Sequence, residues 1–404
     1  MSDFHQSGSV ATLHDLGTRP LPALEKELTH ISRRRPMALI IPSLYSELSG
    51  PALGPMLDTI TEIPYLSSVI IGLDQADREQ FIHAREFFSR LPQTVHLLWH
   101  DGPRLREVDA RLAAEGLSPG QPGKGRNVWY CLGFAATCGM ADVIAVHDAD
   151  IVTYDRAMPA KLLYPVVSDV GYRFCKGYYA RSDGERLGGR VSRLFLTPLL
   201  RALKLSLGAH EFIEFLDAFR YPLSGEFAVD ASEISQLRIP ANWGLEIGLL
   251  SEVYRRLSPK QVCQVDIAAR YDHKHQNLSA NDASKGLARM SREIALSIYR
   301  KLATEGVVLA PETFRALKAA YLREALDLIQ HYHSDARLNG LEYSFHDEEL
   351  AVETFSRAVI EAGEDYLISP FEPSYISNWS RVISALPDIA ESLCEAVAMD
   401  ADVR

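Results

Sequence analysis

The sequence predicts an α/β protein in which a mostly parallel sheet is flanked by helices and followed by a helical C-terminal region. Three observations carry this. Short runs of almost continuous apolar residues, MALII (37–41), SSVIIGL (67–73) and TVHLLW (94–99), suit strands buried on both faces. Amphipathic stretches of helical period separate them, the alternation from which parallel sheets are built. From about Asn281 onward only helical periodicity is present, as in FRALKAAYLREALDLIQHYH (314–333).

In chain order, residues 1 to about 20 read as a mobile tail, and a short helix runs from Pro22 to about Arg34. After MALII a helix passes through PALGPMLDTI, and another runs from Asp77 to Arg90 between SSVIIGL and TVHLLW. A Gly/Pro-rich loop, GLSPGQPGKG (116–125), opens a helix through NVWYCLGFAATC, and DVIAV (142–146) is the next strand. Beyond Lys161, VGYRFCKGYYAR (170–181), GEFAVD (225–230) and KQVCQVDIAARYDHKHQ (260–276) read as strands. Helices are expected from Arg190 through Leu205 and over GLEIGLLSEVYRRL (244–257). The chain divides into a tail and helix (1–35), an α/β domain (36–280) and a helical region (281–404) that packs on it or builds a dimer.

Composition narrows the class. The 404 residues are 47% hydrophobic and 24% charged, enough for a large core. A net charge of −11 argues against a general nucleic-acid binder. No apolar run approaches the length of a membrane span, and the N-terminus lacks the basic and apolar regions of a secretory signal. The five cysteines (Cys131, Cys138, Cys175, Cys263, Cys394) form no CxxC pair and read as reduced residues of a cytoplasmic protein.

Five constellations could carry chemistry. DVIAV ends in His147-Asp148-Ala149-Asp150; on an extended chain Asp148 and Asp150 point the same way, and two such carboxylates call for a cation. Mg²⁺ or Mn²⁺ bound through phosphate oxygens would satisfy them; a pair of exposed turn aspartates is the plainer alternative. His273 and His275 repeat the spacing at a strand end, where one could join the aspartates or both could be surface residues. In QPGKGRN (121–127), Gly123, Lys124 and a helix N-terminus suit a diphosphate, or else form a solvated turn. ERLGGRVSR (185–193) offers Arg190 as a fork for phosphate or carboxylate, or a basic exposed face. Glu226 and Glu246 lie in apolar surroundings, where an acid needs a sugar hydroxyl or a hydrogen-bonding core partner. Ligands of open parallel sheets collect beyond the strands' carboxyl ends, where Asp74, Asp148 and Asp150 fall.

Taken together these stretches resemble the retaining glycosyltransferases that make glucosyl-3-phosphoglycerate, and their mannosyl-3-phosphoglycerate relatives. The shared motifs run in order: Pro42, Leu44 and Glu47 as PxLxxE, PGKG (122–125), DxD (148–150), GGRV (188–191), PLSGE (222–226), GLEIGLL (244–250), and Arg270 with His273. They cover roughly residues 37–280. The resemblance implies a GT-A, Rossmann-like fold binding a nucleotide-sugar donor and 3-phosphoglycerate, with Mg²⁺ or Mn²⁺ between the protein and the diphosphate. Asp150 and His273 would hold the metal, and Asp148 would lie by the ribose. Pro42, Leu44, Glu47 and Asp74 would line the nucleoside pocket, and Gly123 and Lys124 would meet the donor's ribose or diphosphate.

The resemblance further implies that Glu246 holds donor-sugar hydroxyls while the backbone at Leu223 and Ser224 lies near the anomeric carbon. Gly189, Arg190, Val191 and Ser192, with Arg270 and His275, would hold the acceptor. Asp272 stands as an extra residue between Arg270 and His273. The expected reaction moves glucose from UDP-glucose to the 2-hydroxyl by front-face attack. Its product would feed compatible solutes or polysaccharide precursors, in a cytoplasmic homodimer. Alternatives are GDP-mannose as donor, glycerate as acceptor, a nucleotidyltransferase, and a non-catalytic nucleotide-sugar sensor.

Overall fold

The computed structural model describes residues 8–273, 286–370 and 375–403. The apolar runs become strands: Ala11–Leu13 (β1), Met37–Leu44 (β2), Leu66–Asp74 (β3), Thr94–Trp99 (β4), Val143–Val146 (β5), Phe174–Arg181 (β6), Phe227–Asp230 (β7) and Val262–Tyr271 (β8). They form one sheet in the order β1-β8-β6-β7-β5-β2-β3-β4, parallel except for β7, which runs against β5 and β6. Helices of the first half are Leu21–Ser32 (α1), Leu53–Thr61 (α2), Arg78–Phe88 (α3), Pro103–Ala114 (α4), Lys124–Thr137 (α5) and Ala157–Val167 (α6). Thr197–Leu207 (α7), Glu211–Asp217 (α8), Ala231–Ile234 (α9) and Leu245–Arg256 (α10) follow. The C-terminal region is Gly286–Thr304 (α11), Pro311–Leu338 (α12), Phe345–Ile368 (α13), Trp379–Ala385 (α14) and Ile389–Asp400 (α15).

Side chains alternate across each strand, so β2 serves two cores. Met37, Leu39 and Ile41 pack with α1, α2, α3 and α6, whereas Ala38 and Ile40 face α5 and the later helices. The second of these cores runs on without a break into α11–α15. Its seam is a stack of Trp129 on Trp379, 4.4 Å between centroids, with each indole N–H donating to a backbone carbonyl of the opposing segment. Among the described residues no helix is long and apolar enough to cross a membrane.

Three expectations are corrected. Part of the tail is a strand: Ala11–Leu13 pairs in parallel with Cys263–Val265, and three residues are too few to show a period. The stretch from Arg190 through Leu205 is not one α-helix, because Val191–Leu196 is a π-helical turn before α7 begins. The five cysteines are not all reduced. Cys138 and Cys394, 256 residues apart in sequence, form a disulfide between the end of α5 and α15. Spacing arithmetic cannot detect a pair so far apart. Cys131, Cys175 and Cys263 are free and buried, as expected.

Candidate active site

The parallel register lines up the strand ends. Leu44 pairs with Asp74 and Pro42 with Gly72, so the end of β2 and the end of β3 share one rim. Glu47 follows in a short 3₁₀ turn, Tyr45–Ser49, and Leu44 is 37% exposed there. Asp74 is buried, and burial pushes its carboxyl up to about 6 against the pull of a hydrogen bond from Asn127 Nδ2 to Oδ2, 2.7 Å. Asn127 also donates to the Gly72 carbonyl. Beside them His100 is buried, and desolvation lowers its pKa to about 3, so the imidazole is neutral. Neither Asn127 nor His100 was marked from the sequence.

Asp148 and Asp150 leave β5 next along the rim, and they play different parts. Lys124, the first residue of α5, places Nζ 2.7 Å from Asp148 Oδ1 and 3.3 Å from Glu246 Oε1. Burial alone would lower the Lys124 pKa, but the two carboxylates outweigh it and keep the ammonium charged. Burial likewise raises Asp148, and Lys124 more than reverses it. Lys124 thus neutralises one aspartate of the pair. Below Asp148, desolvation lowers His147 to about 3, which leaves a neutral ring.

Asp150 has a different partner. Past β8 the chain forms a bridge between Ile151 and His273, which sets His273 Nδ1 3.5 Å from Asp150 Oδ2. Both side chains are about a quarter exposed (23% and 25%), open enough to share a ligand. A carboxylate oxygen and an imidazole nitrogen suit Mg²⁺ or Mn²⁺ whose other ligands come from water or phosphate. Among the described residues no cluster of three or more His, Cys, Asp or Glu could hold a metal by itself. His275 lies outside the described residues.

The PLSGE turn presses on this pair. A Cβ at Gly225 would lie 2.5 Å from Asp148 Oδ2, so only glycine permits the approach. The turn is fastened to β6: Ser224 Oγ donates to Gly177 O, and Lys176 Nζ donates to Ser224 O, 2.5 Å. Lys176 is buried, and desolvation brings its pKa down to about 8. Glu226 is fully buried and accepts from the hydroxyls of Tyr179 and Tyr271, both at 2.7 Å. Of its two readings, the hydrogen-bonded core acid is the one present. Lys176, Tyr179 and Tyr271 had no signal beyond an apolar strand pattern.

Arg190 and its neighbours lie at the far end of this aromatic floor. Tyr271 stands 5.6 Å from the His273 ring and stacks on Tyr179 at 3.7 Å; Tyr179 meets Tyr221 at 5.0 Å, under Gly189. Gly189 has a φ of +71°, a turn that a side chain would strain. It feeds Arg190, Val191 and Ser192 into the π turn, a distortion common at functional sites. Ser192 Oγ is buried with no hydrogen-bond partner among the described residues. Arg270 is exposed against the 182–186 loop, where a Cβ on Gly184 would come within 2.9 Å of its Nη1. Arg181, beneath Gly188, was not anticipated. Of the residues marked from the sequence, Leu44 and Asp74 share the rim of β2 and β3, the Asp150–His273 pair stands past β5, and Arg190 follows Gly189 beyond the aromatic floor.

Known proteins supply the family. No protein-family model matches the chain. It is 42% identical over 401 residues to a glucosyl-3-phosphoglycerate synthase of Persephonella marina, covering 99% of each chain. It is 40% identical over 404 residues to the Methanococcoides burtonii enzyme of that name, covering 98% of each. Among solved structures, the Mycobacterium tuberculosis glucosyl-3-phosphoglycerate synthase with phosphoglyceric acid superposes with a TM-score of 0.52 at 23% identity, over 72% of this chain and 88% of the other. The Rubrobacter xylanophilus mannosyl-3-phosphoglycerate synthase gives 0.55 at 21%, over 74% and 83%. These two establish the GT-A glycosyltransferase fold. The full-length identities go further: the chain belongs to the glucosyl-3-phosphoglycerate synthase family of glycosyltransferases.

Proposed function

We propose that this chain transfers glucose from UDP-glucose to the 2-hydroxyl of 3-phosphoglycerate, with Mg²⁺ or Mn²⁺ and retention of anomeric configuration. The observation that carries the reading is the approach of His273 to Asp150 beside an Asp148 already neutralised by Lys124. The Mycobacterium tuberculosis relative crystallises with Mn²⁺, UDP-glucose and phosphoglyceric acid, which favours the same ligands here.

In this reading Asp74 recognises the base. Asn127 donates to its Oδ2, and the carboxylate keeps acceptor capacity for an imide N–H such as that of uracil. Pro42, Leu44 and Glu47 complete the nucleoside wall, and Gly123 and Lys124 meet the ribose and diphosphate. Asp150 and His273 would hold the cation, which when bound screens the charge that grows on the departing diphosphate. Lys124 adds a fixed positive charge beside it. Glu246 holds sugar hydroxyls. The turn at Leu223 and Ser224, braced by Lys176, borders the anomeric carbon. Among the described residues Glu226 is tied to two tyrosines, and Asp148 and Glu246 both to Lys124, so none of these three stands free to act as nucleophile. Front-face attack therefore fits best, with the departing phosphate oxygen taking the hydroxyl proton.

Gly189, Arg190, Val191 and Ser192 grip the acceptor with Arg270 and His275. Residues 36–280 carry the chemistry, and 281–404 back it. A homodimer belongs to the same reading, because exposed Leu326, Leu338, Leu350, Leu367 and Ile368 all lie on α12 and α13. Light scattering checks it. The product would serve cytoplasmic solute or polysaccharide synthesis.

The test is nucleotide release from a panel of UDP- and GDP-sugars against 3-phosphoglycerate and glycerate, with and without Mn²⁺. Turnover confined to UDP-glucose with 3-phosphoglycerate is expected. Preference for GDP-mannose, or for glycerate, would overturn the corresponding half of the assignment.

A further inference from the structure

The C-terminal helices reach the segment that carries Arg190. The turn between α12 and α13 lies against it: the Glu342 N–H donates to Glu185 O at 2.8 Å, and the Glu342 carboxylate accepts from Arg186 at the surface. One turn into α13, Glu348 is buried, its side chain 5% exposed. Its two oxygens are divided between two arginines. Oε1 accepts from Arg190 Nε and Oε2 from Arg193 Nη1, each at 2.8 Å.

The two arginines are used differently. Arg193 also donates from Nε to Gly188 O and from Nη2 to Leu187 O, and its guanidinium lies over the Tyr332 ring. All three of its nitrogens are spent holding the loop. Arg190 gives only Nε to Glu348; among the described residues Nη1 and Nη2 have no partner, and the side chain is 35% exposed. Glu348 cancels one of the two positive charges, which leaves the trio with one net charge on the side where two amino groups remain free. A guanidinium anchored through Nε has already lost the rotamer freedom that a flexible arginine would lose on binding.

We propose that Glu348, supplied by the C-terminal helices, is a positioning residue for the acceptor: it fixes Arg190 so that Nη1 and Nη2 meet an anionic group of a phosphorylated hydroxy acid. The proposal rests on the reading of Arg190 as an acceptor ligand. It gives residues beyond the shared motifs a direct part in substrate affinity.

Steady-state kinetics on the full chain with UDP-glucose, Mn²⁺ and 3-phosphoglycerate test it. Glu348→Gln should raise the acceptor KM about tenfold and leave the UDP-glucose KM within about twofold. Glu348→Asp, which keeps the charge, should recover part of the loss. In the double variant with Arg190→Ala, Glu348→Gln should add nothing to the single Arg190→Ala effect. An unchanged acceptor KM in Glu348→Gln, or equal losses for both substrates, overturns the positioning role even if Arg190→Ala is impaired. Should Arg190→Ala itself leave the acceptor KM unchanged, the acceptor-site reading fails instead. If Glu348→Gln does not fold, the Glu348→Asp acceptor KM decides: a rise of about threefold is expected, and none overturns the proposal.

Discussion

The two ends of the rim are built by different means. At the proposed donor end, Leu44 and Asp74 stand at the carboxyl ends of adjacent strands, where backbone register fixes them, and Asp148 and Asp150 follow just past neighbouring β5. At the acceptor end, Arg190 sits on a loop and a π turn that Glu348 holds from 158 residues away. A register is shared by every hydrogen bond along a strand, whereas a loop is placed by a few side chains. Donor contacts should therefore tolerate distant substitutions that acceptor contacts do not.

Removing chemistry from the donor end gives the largest expected effect. Asp150→Asn should lower kcat by about 10³-fold, because it takes the charge from the proposed cation ligand at a quarter-exposed position. Its thermal midpoint should stay near that of the parent, and a collapse of the fold would refute the idea that this quarter-exposed carboxylate adds little to packing. Next is Lys124→Met, which leaves Asp148 without its counter-charge. A kcat loss of about 10²-fold is expected, with weaker nucleotide binding by calorimetry. An unaltered nucleotide affinity would count against Lys124 as a donor contact.

At the acceptor end, Arg190→Ala should raise the 3-phosphoglycerate KM by about 10- to 50-fold, with the donor KM nearly constant. Equal shifts in both would dissolve the distinction between the two ends. A smaller effect comes from pH. The Asp74 carboxyl is held up at about 6, and its ionised form is the stronger acceptor for a base N–H. The UDP-glucose KM should rise severalfold as pH falls through about 6, and Asp74→Asn should abolish that dependence. The stability consequence has the opposite sense. Between the unfolded value of 3.8 and about 6 the folded chain keeps a proton that the unfolded chain has released. The stability of the neutral form is thus present at low pH and lost as pH rises through this window. The smallest effect on turnover belongs to Cys138→Ser, far from either end: kinetics unchanged, with unfolding eased by about 2–4 kcal/mol in chemical denaturation.

The same contrast governs what could be read in advance. The donor end was legible because its residues follow directly on apolar runs: TVHLLW is β4 residue for residue, and the two aspartates stand just past β5. Motif order carried Lys124, Glu246 and Arg190. The pairing of Glu348 with Arg190, and that of Cys138 with Cys394, left no trace because neither has a local period or spacing. The π turn has the sequence pattern of an α-helix, since one extra residue per turn barely disturbs an apolar stripe. Glu226 was noticed as an acid in apolar company, but its tyrosine partners looked like ordinary strand residues.

The seam of Trp129 on Trp379 bears on any attempt to recombine this enzyme with its relatives. α5 begins at Lys124 and ends beside Cys138, so one rod about 20 Å long joins the reacting end to the tryptophan stack and the disulfide. A chimera that imports a foreign C-terminal half would replace the backing of that rod and the carboxylate behind Arg190 in one stroke. The two halves of the chain are held as one unit by these contacts, and an exchange at the boundary between them would have to carry both contacts across it.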